Sequence, residues 1–476
     1  MYTRVKSLVL TNNSVKIINI EANVHRGMFA FSVLGVPSNY EKKIRTKINS
    51  IFKINNQKLP NKKMIFNIEK IDGKYDYDLL DLPIFVAVLK ILKLHNFNDE
   101  VYVGSLGING DLLALDKPYA YINYASDHPD ECFNIPYYKG LIKYRKQDKI
   151  FMYKNISHLL KADFDIPILI CDKKEGFERI SLDINDIIGQ ERLIRAIIIS
   201  LVGRHHILVS GVAGTGKSLS FQAAKSILPD QDFKEQFLIN QYTDKENSFS
   251  SKANFVDLKK TTSINDLFGS KTKKSILTMN QGGFLIFDEI NLYPTKLLNS
   301  LKTYMDLNND EIFNKEHVTI FANQNPCPCG NYGSKFKECK CSVGEIGRFS
   351  SKINKPFSDR FHIRVKTDSE FKPDKKHKYD IDQIRNNIKR AWNMQKTRYG
   401  NQVFSYNGFL NTRDLNKFIK LDENLDIKLT EFVEFYKLSI REKHNIIRVA
   451  RSIADYEQSL NIEFEHLFEA LSYQIN

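Results

Sequence analysis

The chain has 476 residues, 42% of them apolar and 26% charged, and a formal net charge of +14. That length suits roughly two to four domains with real cores, at an apolar content ordinary for a globular protein. No apolar run approaches the roughly 18–20 residues that span a bilayer. Met1–Lys6 starts on a strand-like pattern rather than on an apolar leader, so a cytoplasmic protein is expected. The positive charge has two readings. A basic surface gains affinity for nucleic acid by releasing counterions. The abundance of Lys, Asn and Ile is equally what an AT-rich genome drifts towards.

Residues 1–165 read as a mixed α/β domain. Val5–Leu10, Val15–Ile20, Met28–Val33 and Met64–Ile68 have strand character, and Tyr40–Ile51 a helical period. Leu82–Leu94 is an apolar helix with Asp81 as its expected cap. Val101–Leu106 followed by Asn109-Gly110-Asp111 predicts a hairpin. Asp76, Asp78 and Asp81 are either a metal cluster or a solvated loop ending in a cap. Residues 166–180 read as a polar linker.

From 181 to 371 strands and helices alternate, the pattern of a parallel sheet. The helix Glu191–Leu201 precedes an apolar run, Ile207-Leu208-Val209, which leads into Gly211-Val212-Ala213-Gly214-Thr215-Gly216-Lys217-Ser218. Glycines allow the backbone to curl so that successive N–H groups face a phosphate, and the following helix adds partial positive charge. Lys217 is then expected to reach the β- and γ-phosphates, and the Ser218 hydroxyl to ligate Mg²⁺. Gly283-Phe284-Leu285-Ile286-Phe287-Asp288-Glu289 predicts a buried strand ending in two carboxylates. Asp288 there can hold the Mg²⁺ shell and Glu289 can polarise a water for attack on the γ-phosphate. A strand at Val318–Ala322 runs towards Asn325, and Ile363–Val365 is a further short strand. The chain should bind ATP.

Beyond Pro373 the strand signal ends. Asp380–Tyr399, Thr412–Ile419, Ile427–Phe435, Ile440–Tyr456 and Ile462–Ile475 are helical in period, making residues 372–476 an all-helical domain. Two cysteines, Cys132 and Cys171, are isolated. The other four are Cys327, Cys329, Cys339 and Cys341, a C-x-C pair followed by a second one. They either close a structural zinc site, stay free thiols or form a redox pair. Four thiolates would leave no open position for zinc catalysis.

These residues together resemble the magnesium-chelatase-like AAA+ ATPases of the ComM/YifB type. The resemblance is carried by the phosphate loop, Phe284–Glu289, Asn325–Gly330, Ser358–Phe361 and Arg448–Asp455, with Val33–Pro37, Asp81–Ile84 and Gly104–Gly110 matching near the N-terminus. It implies an N-terminal domain of the Lon-peptidase type, an AAA+ core and a helical lid. No serine-presenting loop stands where a Ser/Lys dyad would need one, so peptidase activity is not expected. It further implies that Ile187 and Ile188 lie against adenine and that Asn325 is sensor 1, placing the attacking water. Arg360 matches an arginine finger acting on a neighbouring subunit's site, and Arg441 matches sensor 2; the plainer reading of each is a surface arginine. A ring, of hexamer size, follows from the same likeness.

Three departures stand out. Asp306–Val318 is shorter than the family's hairpin, Phe255–Ile264 lacks its Pro-His-His element, and Lys352 replaces a usual Arg. The resemblance implies a motor on DNA of the branch-migration or helicase type. Lys259-Lys260 and Lys271–Lys274 would then line a pore or simply be solvated loops. The alternatives are a chelatase-type ATPase remodelling a protein partner and an assembly switch with slow turnover.

Overall fold

The structure, a computed structural model, describes residues 1–11, 14–70, 75–115, 118–137, 149–161, 182–231, 235, 252–270, 275–307, 317–367, 378–400 and 405–475. The 166–180 stretch, Cys171, Lys271–Lys274 and most of Asp306–Val318 lie outside the described residues. The described chain divides into two compact units, one of residues up to Lys161 and one of residues from Leu182 on. No helix among them is long and apolar enough to cross a membrane.

In the first unit, β1 (Tyr2–Thr11) and β2 (Ser14–Arg26) form a long antiparallel pair in which Val5 faces Ile20 and Val9 faces Lys16. Then come β3 (Ala30–Leu34), α1 (Ser38–Ile54), β4 (Lys62–Ile68) and α2 (Asp81–Ile91). The sheet is completed by β5 (Val101–Tyr102), β8 (Phe133–Pro136) and β9 (Ile150–Tyr153), in the order β3-β4-β2-β1-β5-β8-β9. Alternate residues of β1 and β2 (Val5, Val9, Ile18, Ile20, Ala22, Val24) enter a core shared with α1 and α2. Every residue of α2 except Lys90 is buried, as a helix apolar round its circumference requires.

Two expectations are corrected here. The hairpin is formed only by β6 (Ser105–Leu106) and β7 (Leu112–Leu113), because β5 joins the large sheet beside β1. Asp81 is neither a cap nor solvated: it is fully buried in the first turn of α2. Its carboxylate pairs with Lys47 Nζ at 2.5 Å and accepts from Tyr40 Oη and Leu106 N, each at 3.0 Å. A buried charge needs such partners, and α1 brings them. Asp76 instead caps the turn Tyr77–Leu80, and Asp78 pairs with Lys43, so the three aspartates form no metal cluster.

The second unit holds five parallel strands: β10 (Ile207–Ser210), β11 (Phe255–Asp257), β12 (Phe284–Phe287), β13 (Thr319–Gln324) and β14 (Ile363–Lys366). Their order is β11-β12-β13-β10-β14. The central strands β10, β12 and β13 carry continuous apolar runs, Ile207–Val209, Phe284–Phe287 and Ile320–Ala322, because both faces are covered. Helix α5 (Glu191–Gly203) precedes β10, and α6 (Lys217–Ile227) leaves the loop after it; α3 (Pro118–Asp127) and α4 (Ile156–Lys161) belong to the first unit. The expected third strand ends one residue short of Asn325, and Phe255–Asp257 adds an edge strand that the pattern did not predict.

After residue 378 the chain is helical: α7 (Ile381–Arg398), α8 (Thr412–Phe418), α9 (Glu423–Phe435), α10 (Ile440–Tyr456) and α11 (Phe464–Ser472). These helices share one hydrophobic cluster with α5, α6 and the sheet. Their hold on the end of α5 is specific. Trp392 Nε1 and Gln395 Nε2 donate to the carbonyls of Leu201 and Val202, which an α-helix end leaves without partners of its own. Arg204, left-handed at φ +57°, ends the helix. Its buried guanidinium donates to Gly282 O at 3.1 Å and lies 4.5 Å from the ring of Phe284, 5.1 Å from Tyr406 and 5.2 Å from Trp392.

Candidate active site

The loop after β10 is cradled by its neighbours in the sheet. Gly211 N donates to Gln324 O at the end of β13, and Thr367 N, just past β14, donates to Ser210 O at 2.8 Å. Thr215 Oγ1 donates to Val212 O at 3.0 Å and shares a hydrogen bond with Thr367 Oγ1 at 2.9 Å. Gly216 turns the chain into α6 at φ +82°, a conformation that disfavours side chains. Ala213 and Gly214 are exposed at the mouth. Lys217 folds back and donates from Nζ to Gly211 O and Val212 O, both at 2.7 Å. Burial lowers its pKa to about 8, against the opposing charges of Asp288 and Glu289. The result is a curled loop at a helix start, with a poised cation behind it: an anion cradle.

The carboxylates arrive from β12. Ser218 Oγ donates to Asp288 Oδ1 at 2.5 Å, a hydroxyl–carboxylate pair with the oxygen chemistry a Mg²⁺ ion takes. Glu289 follows at φ +53° and points its carboxylate to Lys260 and to Asn325, whose Nδ2 donates to Oε1 at 2.8 Å. Lys260, itself exposed, therefore lies on the carboxylate rim.

Sequence reasoning missed a central group. Asn323 is buried in β13 and joins the Asp288 carboxylate to the Glu289 backbone. Its Nδ2 donates to Asp288 Oδ1 at 2.7 Å and Ser218 Oγ at 3.2 Å, while its Oδ1 accepts from Glu289 N at 2.8 Å. A signal existed: Asn323 follows the apolar run Ile320–Ala322, and an amide inside a buried strand needs partners.

Ile187 packs against the core cluster and Ile188 is half-buried; the capped turn Ile184–Asp186 just before them is bonded to Ser226 and Tyr379. The two arginines meet elsewhere, on one carboxylate. Arg360 donates to Asp306 and to Pro356 O, and Arg441 Nη2 donates to the other Asp306 oxygen at 2.9 Å. Arg441 sits in the first turn of α10 itself, on the helix that carries the buried Arg448 and Arg451. Lys352 Nζ donates to Asn291 O at 2.9 Å.

The four clustered cysteines converge, with all sulfurs within 4.8 Å of one another. Cys327 lies 3.4 Å from Cys329 and 3.6 Å from Cys339. Zinc–sulfur bonds of about 2.3 Å in a tetrahedron place sulfurs about 3.8 Å apart, so this donor set fits the ion. The Cys329 thiol is lowered to about 6 by the backbone N–H groups of Asn331 and Lys340.

A parallel sheet with an anion cradle after one strand and a carboxylate pair after its near neighbour defines a phosphate-loop ATPase. The family described as magnesium chelatase, subunit ChlI, matches residues 183–375, its C-terminal part matches 380–474, and the family of subunit ChlI of Mg-chelatase matches 20–137. The chain belongs to the magnesium-chelatase-like AAA+ ATPases of the ComM/YifB type. The competence protein ComM of Haemophilus influenzae is 24% identical over 96% of this chain and 94% of its own. The YifB proteins of Escherichia coli and Salmonella typhimurium are 22% and 24% identical with the same coverage. A solved candidate ATPase of Cytophaga hutchinsonii is 18% identical over 63% of this chain and 84% of its own, with a TM-score of 0.33.

Proposed function

We propose that this chain is an ATP-hydrolysing, ring-forming motor of the cytoplasm that acts on DNA, of the branch-migration or helicase type. The observation that carries hydrolysis is the single hydrogen-bonded set of Ser218, Asp288, Asn323, Glu289 and Asn325 at the mouth of the phosphate loop. In this reading the loop 211–218 holds the triphosphate, Ile187 and Ile188 bound the adenine, Lys217 neutralises phosphate charge, and Glu289 orients the attacking water with Asn325. Ser218 and Asp288 would hold Mg²⁺, which supplies charge neutralisation across the β- and γ-phosphates. Arg360 is the finger, kept on Asp306 until a neighbour's phosphates compete for it, and Arg441, on the same carboxylate, is sensor 2. The first unit is the Lon-peptidase-type domain without peptidase chemistry, and the cysteine cluster binds Zn²⁺.

DNA as substrate is supported by the likeness to a competence protein and by the net charge of +14. Steady-state ATPase with and without forked DNA, beside Glu289→Gln, tests it. A several-fold stimulation is expected in the wild type and none in the variant; an unchanged rate sinks the DNA reading. The likeness to a chelatase subunit favours a second reading, remodelling of a protein partner. A single protein retained only by ATP-locked Glu289→Gln would establish that instead.

A further inference from the structure

The cysteine loop has no core of its own, only local turns. Between Cys327 and Cys341 it contains no helix or strand, and only Cys327 and Gly330 are buried; Tyr332 and Phe336 are 55% and 71% exposed. A segment without a core is ordered by a covalent or metal staple. The four sulfurs supply the ligands for one.

The same loop leans on the phosphate loop. Ala213 N, within the curled phosphate loop, donates to Gly330 O at 2.9 Å, so this contact fixes the curl from outside. Gly330 is placed by its own N–H to Cys327 O at 3.0 Å, and Tyr332 N donates to Cys327 Sγ at 3.3 Å. The approach is close: at φ +77°, a Cβ on Gly330 would lie 2.6 Å from the Cβ of Ala213. Cys327 is also two residues from Asn325, which holds Glu289. The sulfur cluster thus reaches the nucleotide site by two short paths, the 325–327 backbone and the 330–213 contact.

We propose that Cys327, Cys329, Cys339 and Cys341 bind a thiolate-seeking divalent metal of the Zn²⁺ class, and that its occupancy regulates nucleotide binding by seating Gly330 against Ala213. This rests on the reading of loop 211–218 as the triphosphate site. With metal bound, the loop is rigid and Ala213 is held in its curled conformation before ATP arrives. Without it, the loop loses its staple, and the phosphate loop has to be ordered by the ligand itself.

The test uses the full chain purified under reducing conditions, with metal measured by atomic emission and nucleotide by titration of a fluorescent ATP analogue in excess Mg²⁺. About one zinc per chain is expected. A zinc-selective chelator should weaken nucleotide binding about tenfold, the worth of a lost hydrogen bond with loop reordering, and stoichiometric Zn²⁺ should restore it. Gly330→Val should keep its zinc yet bind nucleotide at least about fivefold more weakly, which a loop merely ordered by metal would not do. Three results overturn the proposal and are told apart. A chain that takes up no metal, as purified or when supplied with Zn²⁺, removes the metal site whatever nucleotide does. Full affinity in both the stripped protein and Gly330→Val removes the coupling and leaves the site. No nucleotide binding in any form removes the nucleotide reading beneath both.

Discussion

Asn323→Ala removes a side chain that holds both the Asp288 carboxylate and the Glu289 backbone. Three hydrogen bonds go at once: to Asp288 Oδ1 at 2.7 Å, to Ser218 Oγ at 3.2 Å and from Glu289 N at 2.8 Å. The bond to ionised Asp288 is worth about 1.5–3 kcal/mol, and leaving Glu289 N without its acceptor costs about 1–3 kcal/mol more. Part of that falls equally on ground and transition states and cancels from the rate. We expect about 2.7 kcal/mol to appear in catalysis, a loss of about a hundredfold in kcat/KM. Steady-state ATPase measures this, alongside nucleotide affinity, which should change less than about threefold because only the Ser218 hydroxyl of the phosphate loop loses a contact and its bond to Asp288 remains. A folded variant within threefold of wild type would refute the view that Asn323 sets Asp288 and Glu289. A loss confined to KM would refute it as well.

Nucleotide affinity should depend on alkaline pH through Lys217. Its pKa is near 8 before ligand binds, and a triphosphate favours the charged form. The dissociation constant should hold steady below pH 8 and rise about tenfold by pH 9; a flat titration from pH 7 to 9 contradicts this. Stability should depend on acidic pH through a buried histidine group. His206 accepts from Ile320 N at 3.0 Å, packs against His362 beside His205, and is lowered to about 4 by burial. Burial lowers His205 and His362 too, with the neighbouring histidines and Arg448 adding to it. The unfolded chain therefore takes up protons first, and stability falls as pH drops from about 6.5 towards 4, by about 2 kcal/mol at pH 5 for His206 alone. Urea unfolding at pH 7 and 5 should show His206→Asn losing that much less than wild type; equal losses refute the assignment. Arg204→Ala should cost about 3 kcal/mol by urea unfolding, since it removes a buried hydrogen bond and the cation among three rings; a change under 1 kcal/mol refutes it.

The phosphate loop, Asp288-Glu289 and Asn325 could be read from the chain because their chemistry demands fixed spacings next to apolar runs. The helices from 380 onward were legible for a similar reason, most plainly α7, which buries Ile384, Ile388, Ala391, Trp392 and Gln395 at helical spacing. What escaped depends on contacts between distant residues. Asp306 meets Arg360 and Arg441 across 54 and 135 residues, and no local pattern marks a carboxylate as a shared counter-ion. Lys260 sits in a run that reads as solvated, and only the fold shows it turned to Glu289. Asp81 has the sequence of a helix cap, but Lys47 on α1 makes burying it tolerable. Strand β11 is three residues long, too short for periodicity to register, and it exists because β12 offers it an edge.

The guanidinium of Arg204 has a practical consequence for dissecting this molecule. Its rings come from both sides of a tempting cut: Phe284 from the sheet, Trp392 and Tyr406 from the helices that follow. A fragment ending near Lys366 would retain the cation, lose two of its three aromatic walls, and bare the carbonyls of Leu201 and Val202. The fragment's aggregation would then reflect that exposed wound rather than any property of the enzyme, and truncations are a poor route to assigning work to its parts. Point substitutions in the intact chain are the better instrument.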